Sequence, residues 1–313
     1  VDMAGYVPAP VCPPSTGKRI AIIGGGPSGL SAAYYLQLMG HQTTVFEKRK
    51  KLGGMLLYGI PSYRLPRERL QDDINVILET GVEVRLETSV GNDPGQLSLD
   101  ELRKEYDAIY IAIGAHSDKK IGIEGEDAGG VISAVEFLRA IGDGKYPDLT
   151  GKKVCVIGGG NVAMDCSRSA VRMTDGQVHV IYRRTEAQAP ADPLEIKAAK
   201  EEGIEFHFLT AQKELVIENG KVVGLRCIKL REGAPEANGR RKLIEIPGTE
   251  FVIPCSNVIS AIGQRIDQSI FEQKDNILFD KRGNISVTES LATSRPGVFA
   301  GGDCATGPTT LIG

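Results

Sequence analysis

Residues 20–29 read IAIIGGGPSG and residues 154–163 read VCVIGGGNVA, two segments that align without a gap. Each begins with a short apolar run, the mark of a buried parallel strand, and turns through glycines into a stretch of helical spacing. A glycine turn in that context opens a dinucleotide-binding βαβ unit. In the first turn Gly24 makes the tight bend, Gly26 lets a pyrophosphate approach the backbone, and Gly29 lets helix pack on strand. Gly158, Gly160 and Ala163 take these places in the second. The free N–H groups at each helix start are suited to phosphate. Asn161 opens the second helix and is expected to cap it.

The two units differ where their next strand ends. The first reaches Glu47, where a ribose-binding acid belongs, because a carboxylate accepts hydrogen bonds from a free ribose diol. The plainer alternative is a structural glycine turn followed by a surface glutamate. The second reaches Arg183-Arg184, and guanidinium forks suit a 2′-phosphate. The alternative there is a solvated basic turn. With no acid at that point, NADP is expected rather than NAD. One chain thus holds two different dinucleotides, which implies electron transfer between them.

Outward from the turns, residues 28–39 have helical spacing stopped by Gly40, and 43–47 read as a strand. Residues 65–79 read as a helix, 82–88 as a strand, and 108–113, ended by Gly114, as a buried strand. The order then repeats. Residues 131–140 read as a helix, 153–157 as a strand, 162–173 as a helix, 178–182 as a strand and 193–202 as a helix. From 204 to 253 the pattern becomes short alternating runs with turns at Asn219-Gly220 and Asn238-Gly239, as in antiparallel hairpins. Residues 258–262, followed by Gly263, echo 109–113, followed by Gly114. The expected fold is α/β, with two Rossmann-like dinucleotide-binding domains, one inserted into the other. Residues 1–117 and 265–313 form the outer domain and 118–264 the inner.

Composition narrows the function classes. The 313 residues suffice for two domains, and 41% hydrophobic and 25% charged residues are ordinary for a globular chain. A net charge of −3 does not favour nucleic acid, and no apolar run is long enough to span a membrane. The six cysteines, at 12, 155, 166, 227, 255 and 304, are scattered and form no CxxC pair. They read as small buried side chains in a reducing, cytoplasmic setting rather than as cluster ligands or a redox dithiol. His41, His116, His179 and His207 form no spaced cluster, so no metal site is expected. Ser28 sits in a nucleotide turn rather than a nucleophile elbow.

The stretch 47–66, EKRKKLGGMLLYGIPSYRLP, resembles the small-subunit type of NADPH-dependent glutamate synthase and its relatives. These include the flavin and NADPH domains of dihydropyrimidine dehydrogenase and the large subunit of electron-bifurcating ferredoxin:NADP oxidoreductases. GGGNVAMDC at 158–166, YRRT at 182–185 and AGGDC at 300–304 carry the same likeness, which covers nearly the whole chain.

The resemblance implies an FAD site at Gly24, Gly25, Gly26, Pro27, Ser28, Gly29, Glu47, Lys48, Gly53, Gly54 and Arg64, with Val90 near the adenine. Gly302 and Asp303 would reach the ribityl and pyrophosphate, and Thr310 and Leu311 the flavin ring. NADPH would bind at Gly160, Asn161, Val162, Ala163, Arg183 and Arg184, with Ala261, Ile262 and Gly263 toward the nicotinamide. Asp303 also stands on its own pattern, since Gly-Gly-Asp after a strand sets a small acceptor at a backbone bend, though an ordinary Asx turn reads the same way.

The implied activity is hydride transfer from NADPH to FAD, with electrons passing to an iron–sulfur domain or subunit, such as a glutamate synthase large subunit or a ferredoxin. No side chain is assigned a catalytic role. The family's cluster-bearing segment is expected before Val1, and its flavin-facing helix after Gly313, so the chain reads as a fragment. Arg240-Arg241-Lys242 reads as an exposed hairpin or as a face for an acidic partner. A stand-alone quinone or dye reductase and a non-catalytic FAD-binding subunit are the other readings.

Overall fold

The computed structural model describes residues 10–236 and 239–309. The chain divides into two compact units, Val1–Ser117 with Gln264–Gly313, and Asp118–Gly263. Each is built on a five-stranded parallel sheet. In the first unit the strand order is Val298–Ala300, Ala108–Ile111, Arg19–Ile23, Gln42–Phe46, Glu83–Arg85. The chain moves outward from Arg19–Ile23 in one direction, then returns to build the other side. The reversal lies beside the first glycine turn, at the carboxyl end of the central strand, where open α/β sheets bind ligands. The second unit has the same spatial order in Val131–Ser133, Asn257–Ser260, Val154–Ile157, Val178–Ile181 and Glu205–His207, but its edge strand Val131–Ser133 precedes the central strand in the chain.

The inner strands are mostly buried because helices cover the sheets, while the edge strands Glu83–Arg85, Val131–Ser133 and Glu205–His207 stay partly exposed. The helix Pro27–Leu38 buries Gly29, Leu30 and Ala33, and this face packs in one core with Ile22, Val45, Leu70 and Ile74. In the second unit Asn161–Val171 buries Ala163, Met164, Cys166 and Ala170 against Val154, Val156, Val178 and Val180. The opposite face of that sheet, with Cys155, Ile157 and Ile181, packs on Leu215, Leu225, Cys227 and Ile253. These last residues belong to an antiparallel sheet in which Lys221–Pro235 pairs with Thr210–Glu218, Arg241–Glu245 and Phe251–Pro254. Cys155, Cys166, Cys227, Cys255 and Cys304 are free and buried, and Cys12 is free and half-buried. Among the described residues no helix is long and apolar enough to cross a membrane.

The sequence expectations fail at three places. Residues 131–140 are not one helix: Val131–Ser133 is an edge strand paired with Asn257–Ser260, and Ser133 then caps the helix Ala134–Gly142 through the Glu136 N–H. The β-branched Val131-Ile132 pair goes to the sheet and the serine marks the helix start. Glu205–His207, expected among the antiparallel hairpins, adds to the parallel sheet beside Val178–Ile181. The strand expected over 82–88 is only Glu83–Arg85. The short helix Leu99–Glu105 was not expected, although Ser98 and Glu101 form a complete capping box at its start.

In the second unit, charge ties two helices across their solvent side. Arg168 on Asn161–Val171 pairs with Glu195 at 2.5 Å and Glu202 at 2.7 Å, and Arg172 pairs with Glu202 at 2.8 Å. Hydrogen bonds from Arg172, joined by those from Arg168, hold the Glu202 carboxyl down at about 2. A depressed carboxylate stabilises the fold above its unfolded pKa and loses that contribution as pH falls through its folded value. Glu202→Gln is therefore expected to cost about 1–2 kcal/mol at pH 7. The gap between variant and parent closes as pH drops from about 4.5 toward 2, as measured by urea unfolding across that window.

Candidate dinucleotide sites

The first glycine turn is held by contacts that admit no side chain. Gly24 donates its N–H to the Phe46 carbonyl at 2.9 Å and has φ +110°. A Cβ there would lie 2.4 Å from the Ala112 carbonyl oxygen. A Cβ on Gly29 would lie 2.0 Å from the Gly24 oxygen, so the helix start presses directly on the turn. Gly26 is the N-cap and no side chain caps the helix, while Pro27 at its start has no N–H to satisfy. The remaining first-turn N–H groups are left for an external anion.

Three other segments converge on this turn. Gly53 donates to the Gly25 carbonyl at 2.8 Å, and Gly54, at φ +51°, approaches so closely that a Cβ would lie 2.6 Å from Gly26 Cα. Glu47 is buried, with one oxygen accepting from the Gly25 N–H and the other from the Arg49 N–H, each at 2.8 Å. Each oxygen keeps acceptor capacity for a hydroxyl. From the far end of the chain, Gly302 at φ +70° packs on Ser28, where a Cβ would lie 2.7 Å from the serine Cβ. The Ser28 hydroxyl meets the Tyr110 hydroxyl at 2.9 Å, and Gly301 covers that ring's oxygen. Burial pushes the Asp303 carboxyl above the usual carboxylate range, with only the Thr309 N–H, at 3.3 Å, pulling it down.

Val90 lines a small pocket with Ile23, Asn92, Ile111, Ile113 and Phe271. Asn92 spends its amino group on the Ile270 carbonyl and the Asp275 carboxylate, and its buried Oδ1 has no partner among the described residues. Lys48 and Arg64 are exposed. Thr310 and Leu311 lie outside the described residues.

The second turn repeats the first. Gly158 donates to the Ile181 carbonyl at 3.0 Å, and a Cβ on it would lie 2.4 Å from the Ala261 carbonyl oxygen. Gly160 is the N-cap, again with no side-chain cap. Asn161 therefore does not cap, contrary to expectation. It is the first helical residue, and its Oδ1 accepts the Asp192 N–H at 2.9 Å, tying the turn to the start of the helix Pro193–Glu201. Ala163 is fully buried and Val162 half-buried. Ala261 donates to the Ile157 carbonyl at 2.8 Å, Ile262 is exposed at the surface, and Gly263 has φ +121°.

The residue equivalent to Glu47 is Tyr182. Its ring stands where a Cβ on Gly159 would come within 2.4 Å, as Glu47 stands against Gly25, and its hydroxyl donates to the Gln188 carbonyl at 3.1 Å. No carboxylate faces this turn from that position. Arg183 is exposed and its guanidinium has no protein partner among the described residues; Arg184 donates weakly to the Arg241 carbonyl at 3.3 Å. Arg240, Arg241 and Lys242 are exposed, as expected.

Four features escaped the sequence reading. Tyr182 lies one residue beyond the position that the gap-free alignment sets opposite Glu47, so strand pairing identifies it. Tyr110 was not, because nothing local announces its bond to Ser28. Arg67 clamps the carbonyls of Leu56 and Ile60, at 2.9 and 2.7 Å, and so fixes the loop after Gly54. The fourth corrects the statement that the histidines form no cluster: His179 Nδ1 and His207 Nε2 lie 3.1 Å apart, with Glu205 beside both. Burial lowers both imidazoles below the usual histidine range, against the pull of Glu205.

A family model described as pyridine nucleotide-disulphide oxidoreductase matches residues 18–312. The chain is 47% identical over 301 residues to the NADP(+)-dependent formate dehydrogenase subunit beta of Moorella thermoacetica, covering 95% of this chain and 42% of that one. It is 36% identical to the glutamate synthase [NADPH] small chain of Escherichia coli, over 95% of this chain and 66% of that one. The chain spans about half the length of the first of these curated relatives. Among solved structures, Mycobacterium tuberculosis FprA in complex with NADPH superposes with a TM-score of 0.78 at 22% identity, over 94% of this chain and 80% of that one. That likeness is one of fold.

The glycine contacts predict a contrast between two alanine variants. Gly24→Ala must displace a backbone carbonyl and is expected to cost about 2–4 kcal/mol, with loss of dinucleotide binding. Gly81→Ala, at φ +89° with open space around it, is expected to cost about 1 kcal/mol. Urea unfolding of the two side by side checks both values.

Proposed function

This chain belongs to the pyridine nucleotide-disulphide oxidoreductase family, and we propose that it is the FAD- and NADPH-binding module of a larger electron-transfer enzyme. The observation that carries the reading is the contrast across two superimposable turns. Glu47 offers a carboxylate at the first, while Tyr182 followed by Arg183, which has no partner among the described residues, stands at the second. A carboxylate at that position binds the ribose diol of FAD and repels a 2′-phosphate; a tyrosine with an adjoining guanidinium accepts one.

The residues of the first unit fit FAD. The uncapped helix start and the Cβ-free surface of Gly24, Gly26 and Gly54 suit the pyrophosphate. The unpartnered Asn92 oxygen, beside the cavity lined by Val90, suits an adenine amino group. Asp303, with its carboxyl held above the usual range, is an acceptor or donor for the ribityl chain next to Gly302. Lys48, Arg64, Thr310 and Leu311 complete the proposed set. In the second unit Gly158, Gly160, Asn161, Val162 and Ala163 cradle the phosphates of NADPH, Arg183 and Arg184 hold the 2′-phosphate, and Ala261, Ile262 and Gly263 lie toward the nicotinamide.

When bound, NADPH supplies a hydride and FAD accepts it and releases electrons one at a time. The chain's own part is to bind, orient and polarise; no side chain is assigned as acid or base. Its cysteines include no CxxC pair and five of the six are buried, so the proposed route uses no dithiol. The electrons leave to an iron–sulfur centre on another segment or subunit, of the kind a glutamate synthase large subunit or a ferredoxin would present. The similar chains from Moorella and Escherichia are themselves named as a subunit beta and a small chain.

Anaerobic NADPH is expected to bleach the flavin absorbance of the FAD-loaded protein within one turnover; an FAD-loaded protein that stays oxidised refutes the reading. Replacing Arg183 and Arg184 with alanine is expected to weaken NADPH binding about 10- to 100-fold and NADH less than about threefold, read as separate dissociation constants. Equal losses for both nucleotides would remove the 2′-phosphate assignment.

A further inference from the structure

The register between the second unit's edge strand Glu205–His207 and its neighbour Val178–Ile181 puts three metal-ligating side chains on one face. His179 pairs with Glu205 across Val178–Ile181 and Glu205–His207, and His207 lies two residues beyond Glu205, so strand alternation returns it to the same side. The ligand atoms converge. His179 Nδ1 is 3.1 Å from His207 Nε2, Glu205 Oε2 is 3.4 Å from His179 Nδ1, and Glu205 Oε1 is 3.5 Å from His207 Nε2. All three groups bring a ligand atom within 4.8 Å of the others.

We propose that His179, Glu205 and His207 bind a divalent transition-metal cation of the zinc class, a site separate from the two glycine turns. Metal–ligand bonds of about 2.0–2.2 Å at angles between about 90° and 120° place donor atoms about 2.8–3.8 Å apart. The three measured separations, 3.1, 3.4 and 3.5 Å, fall within that span, with the carboxylate meeting each imidazole through a different oxygen. A hydrogen bond between the imidazoles would use one proton and one lone pair and would leave the carboxylate oxygens too far off to share it. A cation satisfies all three donors at once. Two imidazoles and a carboxylate select zinc, cobalt or nickel over magnesium or calcium, which prefer oxygen ligands alone.

The surroundings suit an open site. The His179 and His207 side chains are 8% and 14% exposed, so their positions are set by packing, whereas Glu205 is 55% exposed and leaves a side for water as a further ligand. The His207 ring lies against Phe251, with centroids 6.1 Å apart, which confines it to a small range of orientations. Its backbone carbonyl accepts the Tyr182 N–H at 3.0 Å, so a bound cation braces the strand end that carries Arg183. The charge of Lys153 acts on His179 and that of Lys229 on His207.

Cobalt(II) is the probe of choice, because its spectrum separates this set from a thiolate site. The tag-free 313-residue chain is expected to take up one Co²⁺ with visible ligand-field bands and no intense near-ultraviolet thiolate band. Zinc should displace it. Glu205→Gln, at a half-exposed position that keeps the fold, should weaken uptake about 10- to 100-fold, and His207→Gln at least as much. Uptake unchanged in Glu205→Gln, a thiolate band, or no saturable uptake at millimolar Co²⁺ would each overturn the proposal. The readout involves neither FAD nor NADPH, so the dinucleotide reading stands or falls separately.

Discussion

A missing Cβ at two positions is the constraint on which both units rest. Gly24 and Gly158 each end a central strand, each donates to the carbonyl ending the next strand, and each lies against a carbonyl of the strand on its other side. Any side chain would have to occupy the space of the Ala112 or Ala261 oxygen. Three parallel strands can therefore finish at one level, with a helix starting directly above them. The uncapped N–H groups of that helix, unsatisfied within the chain, are what make the turn an anion site. The fold leaves the polar demand open for a ligand to meet.

The same scaffold, used twice, carries a different side chain at one equivalent place. Glu47 and Tyr182 occupy equivalent places, each against the middle glycine of its turn. A carboxylate there is tethered by the Gly25 and Arg49 N–H groups and keeps acceptor capacity to spare. A tyrosine fills the space with an apolar ring, sends its hydroxyl to Gln188, and brings no negative charge. In the proposed function, electrostatic sign at this one position discriminates between a diol and a phosphate. Arg183 adds to that preference only because the tyrosine beside it does not oppose it.

How much of this was legible in the chain follows from the range of each interaction. The two turns, their strands and helices, and the interruption of one unit by the other were readable, because glycine spacing and hydrophobic period act over a few residues. The same rules misread residues 131–140, where β-branched residues precede a serine cap, and Glu205–His207, a three-residue strand too short to show a period. Asn161 had the right residue type for a cap but sits one position too late, and Gly160 serves instead. The contact of Gly302 with Ser28 joins opposite ends of the chain, and only its Gly-Gly-Asp pattern was visible beforehand.

By itself the sequence determined the fold class, the two phosphate turns, and the presence of an acid after one and of arginines after the other. These are properties of residue type and local spacing. Tertiary structure alone decided what stands against each turn: Tyr182 over Gly159, Gly54 on Gly26, and Tyr110 with Ser28. It also decided that His179 and His207, which look unrelated in the chain, meet across neighbouring strands with Glu205 between them. The physical reason is register. Parallel strands joined through a helix can pair at many offsets, and packing in the core selects the one that sets these side chains opposite each other.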